Sequence, residues 1–338
     1  MPSVLITGAS GFIGSHLAAA LTQRGDDVRC LVRHTSPVDR VELLQDLGTR
    51  IARGDVCDSS CLAAAVADVD VVYHLAGRTK ARSVAEFQQV NQQGVDNVAR
   101  ACAAATNPPV LIFASSLAAA GSSERDRPRT EAEPPAPVSK YGRSKRDGEQ
   151  AAAQWAGQVP VSIIRPPAVF GERDADMFVM FRMIARSGLH TVPGLRPMQL
   201  SLIHADDLAR GMMLVADRGE RLPPDRDANG TGVYFVASDE RPTYAQWGHM
   251  ISTALGRDRL RVLPIPMPAM WFACAGSQLV GWAIRRPTIV NLDKYRELAA
   301  GHWICATERI RALGFAPAAS HADRLRQTAG WYRHAGWL

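Results

Sequence analysis

The run Thr7-Gly8-Ala9-Ser10-Gly11-Phe12-Ile13-Gly14 restricts this chain more than any other segment. It follows an apolar stretch, Val4–Thr7, and opens a helical one, Phe12–Arg24. Three glycines spaced by three between a strand and a helix suit a backbone that must bend under a bound pyrophosphate. Gly8 permits the tight turn, Gly11 a close approach of main chain to phosphate, and Gly14 close packing of helix on sheet. The helix N-terminus beyond them offers unpaired N–H groups and a partial positive charge to an anion. Ser10, Gly11, Phe12 and Ile13 therefore line the expected phosphate site.

The rhythm after this loop sets the fold class. Strands are expected at Val28–Val32, Arg50–Arg53, Val69–His74, Val110–Ser115 and Ser162–Arg165, with long helices at Ala85–Ala105 and Tyr141–Gly157. Such alternation implies crossovers, and so an α/β fold: a Rossmann-type doubly wound parallel sheet with helices on both faces. Residues 1–170 are read as the dinucleotide-binding domain. Residues 171–338 are read as mainly a smaller C-terminal substrate lobe, with some segments returning to the Rossmann sheet. Helices are expected there at Met177–Ser187, Asp206–Asp217, Tyr244–Leu255 and Ala322–His334, and strands at Leu200–Ile203 and Val233–Val236. Glu124–Pro137, rich in proline and charge, reads as a loop over the sheet edge.

Charge and cysteine content narrow the class of function. The net charge is +6, from 39 basic and 33 acidic residues, and only four of the basic residues are lysines. The arginines are scattered, without the clustered stripe of a nucleic-acid binder, so the partner is expected to be a small molecule. Cys30, Cys57, Cys61, Cys102, Cys274 and Cys305 match neither a metal site nor a disulfide framework. With no apolar signal core after Met1, the protein is expected to be reduced and cytoplasmic. Val262–Ile284 carries no charge over 23 residues. Pro264, Pro266 and Pro268 leave about sixteen residues to be helical, fewer than the roughly 20 needed to cross a bilayer. A lid, a core helix walling an apolar pocket, and shallow membrane contact through Trp271, Phe272 and Trp282 all fit.

The glycine spacing departs from Gly-x-Gly-x-x-Gly. The form Thr-Gly-x-x-Gly-Phe-Ile-Gly resembles the short-chain dehydrogenase/reductase superfamily, and in particular its extended branch. That branch includes nucleotide-sugar epimerases, dihydroflavonol reductases and 3β-hydroxysteroid dehydrogenases. The resemblance implies a nicotinamide cofactor, with Asp55 and Val56 at the adenine, and Leu75, Ala76 and Gly77 beside the nicotinamide ribose. Pro166 and Val169, in Ile164-Arg165-Pro166-Pro167-Ala168-Val169-Phe170-Gly171, resemble the segment that closes over the nicotinamide. At the ribose end, Cys30-Leu31-Val32-Arg33-His34 offers no acid for an NAD ribose, whereas Arg33 suits the extra phosphate of NADP. NADP is favoured and NAD stays open.

Tyr141 and Lys145 stand at i and i+4, on one face of an expected helix. With six tyrosines and four lysines in 338 residues, a chance pair at that spacing is rare. An ammonium near a phenol favours the phenolate, so Lys145, aided by oxidised nicotinamide, is expected to tune Tyr141 as general base for alcohol oxidation or as acid for ketone reduction. Ser116, five residues before Gly121 as in the resembling family, is expected to hold the substrate oxygen. Asn91 matches the family's asparagine on the long central helix, ordering water near Lys145. Together, Ser116, Tyr141, Lys145 and Asn91 form the expected catalytic set. Many nucleotide-sugar members carry an asparagine where this chain has Ala168, which argues against a sugar-nucleotide epimerase. With the uncharged Val262–Ile284 stretch as an apolar wall, the reading is an oxidoreductase of an apolar secondary alcohol or ketone: steroid-like, flavonoid-like or a β-keto compound. A nucleotide-sugar epimerase or dehydratase and a non-catalytic dinucleotide sensor are the alternatives. The resemblance and the two long helices suggest a homodimer. Asp206 is expected to cap a helix, and His204 to be packed and hydrogen-bonded.

Overall fold

The computed structural model describes residues 1–225, 229–283, 288 and 291–338; of Trp282 and Ala283 it describes the backbone. Eleven strands are present among them: β1 (Ser3–Thr7), β2 (Asp27–Val32), β3 (Arg50–Arg53), β4 (Val71–His74), β5 (Val110–Ala114), β6 (Val161–Ile164), β7 (Ala168–Phe170), β8 (Leu189–Pro193), β9 (Leu202–His204), β10 (Val233–Tyr234) and β11 (Arg261–Ile265). Seven form one sheet in the order β10-β6-β5-β4-β1-β2-β3, and every pairing in it is parallel. The strand order reverses between β1 and β4, which places the ligand crevice beyond their carboxyl ends. This is the doubly wound sheet implied by the alternation.

Both faces of the sheet are covered, which is why its strands are apolar without alternation. On one face Leu17, Ala18 and Leu21 of the Phe12–Arg24 helix pack with Leu208, Met212 and Val215 of the Ala205–Arg218 helix. On the other, Val95, Val98 and Cys102 meet Leu62, Val66 and Ala152. Each large apolar side chain so buried stabilises by roughly 1.5–3 kcal/mol. The Ala205–Arg218 helix, though late in the chain, is thereby fastened to the face of the main sheet, and β10 closes the sheet beside β6. A separate cluster around Phe170, Phe181, Trp247, Ile251, Leu325 and Tyr332 forms the core of the second half.

Four details differ from the sequence reading. The helix expected at Ala85–Ala105 is continuous in direction but contains a π-helical turn at Gln89–Gln93, between α-helical Val84–Gln88 and Gly94–Ala103. A helix at Val38–Asp46 and two small parallel sheets, β7 with β9 and β8 with β11, add to the expected elements. The cap of the Ala205–Arg218 helix is His204, whose imidazole accepts from Asp206 N, and not Asp206. The uncharged stretch is a strand followed by a helix, Met267–Ala283, with Trp271 and Phe272 exposed, so it is not a core element. The expectations for the Trp282 side chain and for Ile284 lie outside the described residues. No described helix is long and apolar enough to cross a membrane.

Candidate active site

The glycine loop sits at the crevice and is shaped by backbone alone. Gly8 has φ +74°, and a Cβ there would come within 2.6 Å of Ala76 N. A Cβ on Gly14 would lie 2.7 Å from Ala9 Cα. Side chains are thus excluded from a cradle where the first helix begins, a fit for a phosphate that must approach main chain. Thr7 Oγ1 bonds His74 Nδ1 at 2.7 Å and accepts from Ala76 N at 3.3 Å, tying the end of β1 to the segment Leu75-Ala76-Gly77. Burial pushes the His74 imidazole down to about 3, and the nearby Lys145 charge adds to this, so His74 is neutral.

At the other end of the groove, exposed Arg33 follows β2, and its carbonyl accepts from Ser36 N and from Arg53 Nη1. Arg40 Nη1 donates to Ser10 O at 3.1 Å, and the hydroxyls of Ser10 and Ser36 are 3.4 Å apart. None of these three arginines forms an ion pair among the described residues. Arg40 escaped the sequence reading because its helix did. The Asp55 carboxylate accepts from Cys57 N at 2.9 Å in the turn after β3, and buried Val56 accepts Asn97 Nδ2 at its carbonyl. Pro166 is buried, with its carbonyl accepting from Leu117 N, and half-buried Val169 packs on the core from β7.

Ser116, Tyr141, Lys145 and Asn91 converge at the ends of β4 and β5. Ser116 caps a short helix, Leu117–Ala120, its Oγ accepting from Ala118 N at 3.1 Å. Neighbouring Ser115 is committed elsewhere: its Oγ donates to buried Glu149 at 2.6 Å. Only Ser116 is therefore left to face a ligand. Tyr141 is the second residue of the Lys140–Ala153 helix, which Ser139 caps through Gly142 N. Burial pushes the Tyr141 phenol up to about 12, against the pull of the adjacent Ser116 hydroxyl. The expected lowering by Lys145 is not found. Lys145 Nζ donates to Ala114 O at 2.6 Å and stands 4.7 Å from the centre of the Phe113 ring. Burial pushes that ammonium down to about 8, with Glu149 opposing.

Asn91 lies in the π-helical turn and is fully buried. Its Oδ1 accepts from Arg78 N at 2.7 Å, and its Nδ2 donates to Arg78 O and Ser144 Oγ, both at 2.9 Å. It clamps the loop after β4 onto the Tyr141 helix. A Cβ on Gly77 would stand 3.3 Å from Asn91 Oδ1 and 3.5 Å from Lys145 Nζ, so the two flank Gly77 together.

Two groups from the far end of the chain complete the site and carried no local signal. Asp293 accepts from Lys140 N at 2.7 Å and from Tyr141 N at 3.2 Å, capping the Tyr141 helix from the helix Leu292–Ala299. Lys294 pairs with Glu297 at 2.9 Å, and both charges act on the Tyr141 phenol. Behind the site, Glu149 takes a bidentate contact from Arg165, at 2.7 and 2.8 Å, and a further bond from Arg146. His16 bonds Asp206 at 2.6 Å and Glu172 O at 2.9 Å, joining the first helix to the second half. Against the upward push of burial, His16 holds the Asp206 carboxyl well below the usual range.

A family model, that of the NAD-dependent epimerase/dehydratase family, matches residues 4–229. A ceramide reductase of Caulobacter vibrioides is 31% identical over 99% of this chain and 96% of its own. A 4-hydroxy-2-methyl-3-oxo-4-farnesyl-3,4-dihydroquinoline-1-oxide ketoreductase of Stigmatella aurantiaca is 30% identical over 68% of this chain and 66% of its own. Among solved structures, the UDP-glucose 4-epimerase of Thermus thermophilus in complex with NAD superposes with a TM-score of 0.75, at 21% identity, over 98% of this chain and 99% of that one.

Proposed function

The chain belongs to the NAD-dependent epimerase/dehydratase family, the extended branch of the short-chain dehydrogenases/reductases, and we propose that within it the protein is an NADP(H)-dependent reductase of an apolar ketone. The observation that carries this reading is the convergence of Ser116, Tyr141 and Lys145 beyond the end of β5, beside Gly77. Burial holds the Tyr141 phenol up to about 12 next to the Ser116 hydroxyl, so it carries its proton near neutral pH and is in the form that a general acid requires. A bound nicotinamide dinucleotide supplies the hydride. Ser116 holds the ketone oxygen by a hydrogen bond that strengthens as negative charge develops there. Tyr141 donates its proton to that oxygen as the alcohol forms. Lys145, flanking Gly77 with Asn91, adds a positive charge to the developing anion's surroundings. On this reading residues 1–170 bind the nucleotide and residues 171–338 mainly shape the substrate site. The names of the two relatives, with a ceramide and a farnesylated ketone, agree with an apolar substrate, as does Ala168 in place of an asparagine.

The reading is tested by NADPH consumption with long-chain ketones against UDP-glucose. Turnover of the sugar nucleotide and none of the ketones would select the epimerase alternative. The pH profile gives a second check. Lys145 is charged below about 8 and loses its proton above it. Ketone reduction is expected to be level from about pH 6 to 7.5 and to fall as pH rises through the lysine's value. A rate climbing steadily into the alkaline range would mean that the phenolate is the active form.

Arg33, whose carbonyl accepts from Ser36 N, and Arg40, which donates to Ser10 O, form no ion pair among the described residues and suit the extra phosphate of NADP. Replacing both by Ala is expected to weaken NADPH binding about tenfold to a hundredfold, the worth of one charge-assisted contact at roughly 1.5–3 kcal/mol, and to leave NADH binding unchanged. Equal losses for the two nucleotides, measured by fluorescence titration, would count against NADP. The same reading takes the working form to be a cytoplasmic homodimer joined through the outer faces of the Val84–Gln88 and Lys140–Ala153 helices, which sedimentation velocity would test.

A further inference from the structure

The helix Met267–Ala283 has its apolarity on the wrong side for a core element. Cys274 is buried and Met270 and Ser277 are half-buried, so a single stripe of small or flexible side chains meets the protein. Trp271 and Phe272, in edge contact at 5.1 Å, are 43% and 70% exposed, and Leu279 and Val280 are 69% and 57% exposed. The patch continues past the helix. Gly194 lies against Met267, and the residue after it, Leu195, is 77% exposed. Large apolar side chains grouped in this way on a surface mark an interaction site.

The charges around the patch select its occupant. Between Asp258 and the start of the helix at Met267 the sequence holds no Asp or Glu but two arginines, Arg259 and Arg261, and Arg196 directly follows Leu195. Arg196, Arg259 and Arg261 are exposed, and none forms an ion pair among the described residues. A second copy of the chain would set like charges against one another across a two-fold contact. A surface that offers hydrocarbon below a layer of negative headgroups satisfies both the aromatic side chains and the arginines.

We propose that Met267–Ala283, with Leu195 and Arg196, is an interfacial docking element that seats the protein on an anionic phospholipid surface, the helix lying in the plane of the headgroups. It does not span. The contact would bring the apolar substrate's own medium to the half of the molecule that carries Asp293 and Lys294. It is independent of which ketone is reduced.

Co-sedimentation with vesicles of phosphatidylcholine alone, and of phosphatidylcholine with phosphatidylglycerol, tests it. The wild type is expected to pellet with the anionic vesicles, at least tenfold more tightly than with the neutral ones, and to be released by high salt. The double variant Phe272→Glu/Leu279→Glu is expected to lose at least tenfold in binding while keeping the wild-type Tm. If that variant fails to fold, quenching by brominated phosphatidylglycerol, compared between wild type and Trp271→Phe, reads the same contact. A wild type that stays in the supernatant with every vesicle would overturn the proposal. So would a double variant that pellets as before, a Trp271 that lipid does not quench, or a wild-type dimer that the glutamates convert to monomer.

Discussion

Tyr141→Phe is expected to lower ketone reduction by about 10³-fold, close to 4 kcal/mol of transition-state stabilisation, since a positioned acid contributes 10²–10⁴-fold. The substitution removes only the hydroxyl, and the ring's packing 6.3 Å from Phe87 is kept. Stability and NADPH binding should therefore stay near wild type. The useful comparison is Ser116→Ala, which removes a hydrogen bond to the ketone oxygen but leaves the proton donor in place. Its loss should be smaller, on the order of 10–10²-fold, and the double variant should lose less than the product, because both groups act on one oxygen. A Tyr141→Phe enzyme within threefold of wild type would remove the phenol from the reaction and leave a dinucleotide-binding protein whose chemistry lies elsewhere.

Glu149→Ala should be the most destabilising single change near the site. The carboxylate is fully buried and takes bonds from Ser115, Arg165 and Arg146. Without it the Arg165 guanidinium, itself buried, is left as an uncompensated charge. Breaking such a pair costs about 3–5 kcal/mol, or roughly 4–7 °C in Tm for a chain of this size. The pH dependence has a definite sign. Burial pushes the Glu149 carboxyl upward, but Arg165 and its other donors outweigh this and hold it below its usual range. A carboxyl depressed in the folded state stabilises above its unfolded value and loses that contribution as pH falls. Glu149→Gln should therefore be less stable than wild type near neutrality and converge with it in acid. A constant gap between the two curves from about pH 7 to pH 3 would show that the charge is not what holds Arg165.

Residues whose role is set by near neighbours in sequence were legible from it. The glycine loop, the Tyr141–Lys145 face and the serine at the end of β5 each depend on spacings within one turn or one strand end, and these survive without knowledge of packing. The spacing from Gly121 alone favours Ser116 over Ser115; the physical reason, that Glu149 engages the Ser115 hydroxyl from 34 residues onward, could not be read from the sequence. The π-helical turn at Asn91 was invisible because one extra residue in a turn hardly alters the apolar pattern of its helix. His204 displaced Asp206 as a cap because Asp206 is drawn to His16, 190 residues away. Asp293 and Lys294 left no trace at all, since docking across such a distance writes no periodicity into either partner. The apolar helix misled in the opposite way: composition gives hydrophobicity but not its direction, and only the placement of Cys274 against the protein showed that Trp271 and Phe272 face out.

The carboxylate that caps the first amides of the Tyr141 helix arrives 152 residues after the tyrosine it steadies. On a ribosome the nucleotide groove, Ser116 and the phenol all emerge with that helix end still open to water. The two ends of this contact are thus made at widely separated times in synthesis. A chain that ends before Asp293 lacks the carboxylate that accepts from the Lys140 and Tyr141 amides.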